Sequence, residues 1–251
     1  MTTYSHNASR NRDERRAVTG SGRIRERIIT APNTSRFHVS GSFRVMLTVD
    51  PARTDDITLR VRADDQVLPF VRAKHHHGAL HLTLKDGAYH ELGDLRVTAT
   101  VGRVSEVCTA AMASVTLQGL DAAAIKLVST GASSIDASGW SHTWITRASG
   151  TSRLFLAVTS VAVTERVAVS AHEGGLVTLA GHARTLDVRA DGAGKVLAAA
   201  DAFRADRARV QLSGAAQAEI GARTMVTGRV RFPARLRVAC PGEIRVDGPY
   251  H

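Results

Sequence analysis

A short unit recurs through the second half of the chain and restricts the fold more than any other feature. Val128–Ile135 aligns with Arg147–Leu154, and Val188–Val196 aligns with Val210–Ala218. Val169–Val177 fits between these pairs with one glycine displaced. The markers Gly131, Gly150, Glu173, Gly192 and Gly214 are 19, 23, 19 and 22 residues apart. Ala111–Val115 reads as an earlier copy and Cys240–Ile244 as a later, diverged one. A period of about 20 residues holding several short strands is the repeat of a β-solenoid, whose coils cannot bury an apolar face until they stack. Glycine suits the corners because a tight turn wants positive φ, and Ala or Ser beside it lets successive corners approach closely. Apolar residues at alternate positions then point inward from every coil and merge into one column.

Composition agrees. The chain is 43% hydrophobic but only 4% aromatic, so Ala, Val, Leu and Ile must fill its core, which suits narrow stacked layers. A β-sandwich with evenly spaced hairpins is the competing reading, since regular turn spacing belongs to both architectures. Residues before 105 read differently, as short alternating runs between turns. Phe37 and Val39, then Phe43, Val45, Leu47 and Val49, alternate with polar residues around Gly41. Ile57–Val61, Leu80–Leu84 and Leu95–Val101 follow the same rule. The expected organisation is all-β: a disordered basic arm over 1–22, an antiparallel β region over 23–105 capping a solenoid, and the parallel β-helix itself over 106–251.

Val39–Val45, the repeated Ser/Thr-Gly-Ala-Ser corners and the closing Pro241–Pro249 together resemble the putative auto-transporter adhesin, head GIN domain family, over about Gly22 to Pro249. The resemblance implies a right-handed parallel β-helix in a bacterial, usually exported protein. It also implies no established enzymatic activity, and it supplies no catalytic residue to carry over. Two departures stand out: family members begin with an export or lipoprotein signal where this chain has a charged arm, and the corner at Glu173 loses the usual pattern.

The net charge of +10 is unevenly spread. Residues 1–27 hold seven Arg against three acids, residues 28–105 ten bases against eight acids, and residues 106–251 sixteen bases against twelve. The folded part is only mildly basic, which argues against nucleic acid as its partner. No run of about 18 apolar residues is present to span a bilayer, and no apolar stretch follows the basic residues near the N-terminus as in a secretory leader. A cytoplasmic location follows from that reading alone, whereas the family resemblance implies the cell envelope or secretion. Cys108 and Cys240 read as reduced thiols rather than a disulfide.

Three clusters carry candidate chemistry. His75, His77 and His81 surround one turn and could offer imidazoles to a metal ion, although they also fit a solvated hairpin tip. Arg229, Arg231, Arg235 and Arg237 form two period-two pairs in a stretch free of acids, 220–242. They predict a cationic stripe on an outer face that either contacts an anionic partner or protects an edge against strand addition. Trp140 and Trp144 are the only tryptophans and the only candidate platforms for a sugar ring. No nucleophile elbow or phosphate loop is present, and no cofactor is implied. The reading that follows is a non-catalytic, adhesin-like binding or scaffold protein presenting solenoid faces to protein or glycan surfaces. A carbohydrate-active β-helix enzyme and a cytoplasmic self-assembling structural protein, stacking as a homo-oligomer, are the alternatives.

Overall fold

The computed structural model describes residues 17–85, 87, 89, 90, 93–159 and 162–251; the expected N-terminal arm lies largely outside them. Strands make up 65% of the described residues and wind into a β-solenoid of about seven turns. Among the described residues the only helical turn is the 3₁₀ segment Leu68–Phe70. The N-terminal strands are β1 (Val18–Thr19), β2 (Ile24–Ala31), β3 (Arg36–Ser40), β4 (Arg44–Val49), β5 (Ile57–Asp64), β6 (Val71–His76), β7 (Ala79–Leu84), β8 (Tyr89–His90) and β9 (Arg96–Val101). They are followed by β10 (Glu106–Ala110), β11 (Ser114–Ser129), β12 (Ser134–Ala148), β13 (Arg153–Val158), β14 (Arg166–Ala171) and β15 (Leu176–Ala190). The last are β16 (Lys195–Ala198), β17 (Phe203–Leu212), β18 (Gln217–Val230), β19 (Arg235–Ala239) and β20 (Glu243–Asp247).

Each coil contributes to two long faces. The long strands pass from one face to the other: β11 begins beside β4 on the second face and ends beside β10 on the first. From β10 onward the pairings run parallel, and Val188 of β15 sits directly beside Val210 of β17. Both side chains are buried, as are Leu127, Val169 and Val226 on the same face. Each such Val or Leu contributes about 1.5–3 kcal/mol when fully withdrawn from water, which is how aliphatics sustain most of a core whose few buried rings include Phe43, Trp144 and Phe203.

The expected corners form one vertical column. Ala111, Gly131, Gly150, Glu173, Gly192 and Gly214 all have φ between 58° and 73°. A Cβ added at Gly150 would lie 3.1 Å from the Gly131 carbonyl oxygen, and one at Gly214 would lie 3.0 Å from the Gly192 nitrogen. Backbone hydrogen bonds tie the corners together, from the Ala132 N–H to the Ala111 carbonyl (2.8 Å) and from the Thr151 N–H to the Gly131 carbonyl (2.9 Å). Cys240–Ile244 does not continue this column. The corner after Gly214 is at Arg231–Ala234, and Glu243 opens β20 beside Met225 of β18.

Parallel stacking is not confined to residues after 105. β3 lies between β7 and β10, and β4 lies between β9 and β11, all in parallel register. The coil formed by residues 36–49 is therefore sandwiched between a coil that follows it in sequence and the start of the main stack. Antiparallel pairing is restricted to β2 with β5, β5 with β9, and β6 with β7.

Candidate functional site

A concavity of about 830 Å³ opens on the first face near the C-terminal end of the stack. Parallel register builds it. Outward-pointing Arg189, Gln211, Arg229 and Asp247 occupy one position on successive coils, with Asp187, Arg209, Thr227 and Arg245 two residues before them. Its lining includes the guanidiniums of Arg189, Arg209, Arg229 and Arg231 against the carboxylates of Asp191 and Asp247. Asp247 Oδ2 is taken by Arg229 Nε at 3.2 Å, and Asp191 Oδ2 by His172 Nδ1 at 2.9 Å. Arg189, Arg209 and Arg231 make no ion pair with another described residue. The hollow thus has an excess of planar, multi-donor cations, which suits carboxylate, sulfate or phosphate groups.

The four arginines singled out from sequence do not share one face. Arg229 lies on the first face and Arg231 at the corner beside it, whereas Arg235 and Arg237 lie on the second face beside Gln217 and Glu219. The Arg231–Ala234 corner turns the chain between the two pairs, so period-two alternation does not run through it. The two tryptophans part as well. Trp144 is fully buried in the core and offers nothing to a ligand. Trp140 is half-buried and lines a hollow of about 430 Å³ with Gly119, Leu120, Asp121, Ser138, Gly139, Thr159 and Ala162. Backbone fills the place a side chain would need there, since a Cβ at Gly139 would stand 2.3 Å from the Leu120 carbonyl oxygen.

The histidines assemble differently from the expected trio. His77 and Gly78 take positive φ and form the β6–β7 turn. Ring contacts run from His77 to His76 (3.8 Å between centroids), from His76 to His81 (6.0 Å) and from His81 to His38 (4.6 Å). Alternation along β6 puts His75 on the side opposite His76, outside that chain of rings. His38 pairs in register with His81 on one side and with Cys108 on the other, and a smaller hollow of about 280 Å³ opens over these residues. Glu106, two residues before Cys108, is bound by Lys126 Nζ at 2.8 Å and Arg36 Nε at 2.9 Å. The Lys126 hydrogen bond, joined by that of Arg36, holds the Glu106 carboxyl below its ordinary range against the opposing effect of burial. Burial and then His81 push the His38 imidazole pKa below its ordinary value. Burial and then Glu106 raise the Cys108 thiol to about 11. Sequence reasoning missed His38, Glu106 and Cys108; the available signal was their outward phase in alternating strands.

The stacked parallel coils define a β-solenoid that carries surface hollows and an arginine-rich first face. The chain belongs to the putative auto-transporter adhesin, head GIN domain family, which it matches over residues 33–241. It is similar to the crystal structure of a putative adhesin from Parabacteroides merdae ATCC 43184, with TM-score 0.78 and 14% identity over 94% of this chain and 97% of that one. A putative adhesin from Parabacteroides distasonis ATCC 8503 gives TM-score 0.79 and 14% identity over 93% and 97% of the two chains. A putative lipid binding protein from the same organism gives 0.75 and 12% over 93% and 98%. At these identities the likeness is one of fold. Among curated proteins, none matches the chain.

Proposed function

We propose that the protein is a non-catalytic, adhesin-like binding or scaffold protein whose first face engages an anionic protein or glycan surface. The observation that carries this reading is the concavity in which four guanidiniums face two carboxylates, three of the four without an ion-pair partner among the described residues. A broad, open, cationic surface on a rigid stack raises the local concentration of polyanions and orients them without chemistry. Family membership supports the same role. It also favours the cell envelope or the exterior over the cytoplasm, the location read from the N-terminal residues alone. No helix among the described residues is long and apolar enough to cross a membrane.

A glycosidase reading finds less support. Hydrolysis of a glycosidic bond calls for two carboxyls facing one another across the scissile bond, and the hollow beside Trp140 is lined by one, Asp121. The test is retention on an immobilised sulfated polysaccharide at low salt. The whole chain is expected to bind and to elute as salt rises. The triple variant Arg209→Ala/Arg229→Ala/Arg231→Ala is expected to bind at least about tenfold more weakly, roughly 1.4 kcal/mol. Equal binding by the triple variant, or none by the parent chain to either the polysaccharide or an acidic polypeptide, would overturn the reading.

A further inference from the structure

At the opposite end of the first face, two strands that are far apart in sequence, β3 and β10, bring together a different chemistry. His38 on β3 and Cys108 on β10 are register partners on adjacent coils, and Glu106 precedes Cys108 by one outward position. One ligand atom from each of His38, Glu106 and Cys108 can be chosen so that all three lie within 4.8 Å of one another. Among the described residues no other set of three His, Cys, Asp or Glu side chains meets that condition. His38 Nε2 is shielded from solvent and has no hydrogen-bond partner. A shielded polar atom left unpaired costs free energy, and a bound cation would remove that cost.

We propose that His38, Glu106 and Cys108 bind a zinc-like divalent cation, with water or a rotated His81 ring in the fourth position. The donor set fits. Imidazole nitrogen, thiolate sulfur and carboxylate oxygen are the three ligand types of tetrahedral zinc, and a thiolate disfavours Mg²⁺ or Ca²⁺. Coordination forms a metal–sulfur bond and releases the Cys108 proton to solvent. Glu106 is prepared for the exchange: its carboxylate is 15% exposed, while Arg36 and Lys126, which now hold it, are 44% and 51% exposed. Both cations can swing into water as the metal takes their place.

The test uses the whole chain, reduced and stripped of metal, titrated with Co²⁺ as a spectroscopic probe and with Zn²⁺ in competition with a chromogenic chelator. The parent chain is expected to bind one equivalent, with a thiolate-to-cobalt charge-transfer band that zinc abolishes. Cys108→Ser is expected to lose the band and Cys240→Ser to keep it. His38→Gln, which leaves the thiol in place, is expected to weaken zinc binding at least tenfold. Circular dichroism establishes that each variant is folded. Should Cys108→Ser not fold, the His38→Gln titration decides. Absence of the band in the parent chain, its survival in folded Cys108→Ser, unchanged affinity in His38→Gln, or loss of zinc binding only in His75→Ala/His76→Ala/His77→Ala would overturn the proposal.

Discussion

At the scale of single residues, the stack is governed by which side chains tolerate positive φ at its corner. In the column from Ala111 to Gly214, Gly131, Gly150, Gly192 and Gly214 meet that demand without a Cβ, whereas Glu173 holds φ 58° with one. An L-residue in this region costs about 1–2 kcal/mol, and the exposed Glu173 side chain has no ion pair with another described residue. Glu173→Gly is therefore expected to stabilise the protein by up to about 1 kcal/mol, the gain being reduced by glycine's greater freedom when unfolded. Gly192→Val is expected to destabilise it by about 2 kcal/mol or more, because its Cβ would sit 3.0 Å from the Glu173 Cα. Urea midpoints read both, and a destabilising Glu173→Gly would show that the corner does not impose the strain assigned to it.

Elements show how far sequence reaches. Corners were legible because one backbone requirement selects one residue type at fixed spacing. The pairing of Trp144 with Trp140 as surface platforms failed because the strand bends around a corner of the coil between them, so equal phase in sequence did not mean equal exposure. The His38–Cys108 juxtaposition was not legible at all. It depends on β3 slotting between β7 and β10, and alternation fixes which side a residue faces but not which strand stands next to it. The β2–β5 ribbon that flanks this region has its own lock at Asp64. The carboxylate accepts hydrogen bonds from the Gly22 N–H at 2.7 Å and the Gln66 N–H at 2.9 Å, with the Ser21 hydroxyl also in reach. Burial alone would raise its pKa, but the donors from Ser21, Gln66 and Gly22 together hold it below the ordinary value. A carboxyl depressed in the folded state adds stability above its unfolded pKa of about 3.9 and loses it as pH falls through the folded value. The parent chain is thus expected to lose stability below about pH 4 more steeply than Asp64→Asn. Parallel denaturation curves from pH 6 to 2 check this, and equal slopes would contradict it.

For the whole molecule, the solenoid separates two surfaces along one rigid face: a cationic concavity toward the C-terminal coils and a histidine–cysteine cluster toward the N-terminal coils. Sequence alone gave the class of fold but not that division, because faces exist only once coils are in register. The terminal edge is partly closed by the chain itself, with the His251 N–H bonding the Leu236 carbonyl at 2.9 Å and the Val238 N–H bonding the His251 carbonyl at 2.8 Å. Both surfaces exist only because outward residues of successive coils stand side by side. Disulfide trapping in a Cys108→Ser/Cys240→Ser background tests that most directly. Asp187 and Arg209 are outward register partners on adjacent coils, while Thr227 is one coil further on. Cysteines introduced at 187 and 209 are expected to cross-link rapidly under mild oxidation, and those at 187 and 227 to remain reduced. Preferential cross-linking of 187 to 227, or failure of 187 to reach 209 in the folded chain, would contradict the stacked parallel register.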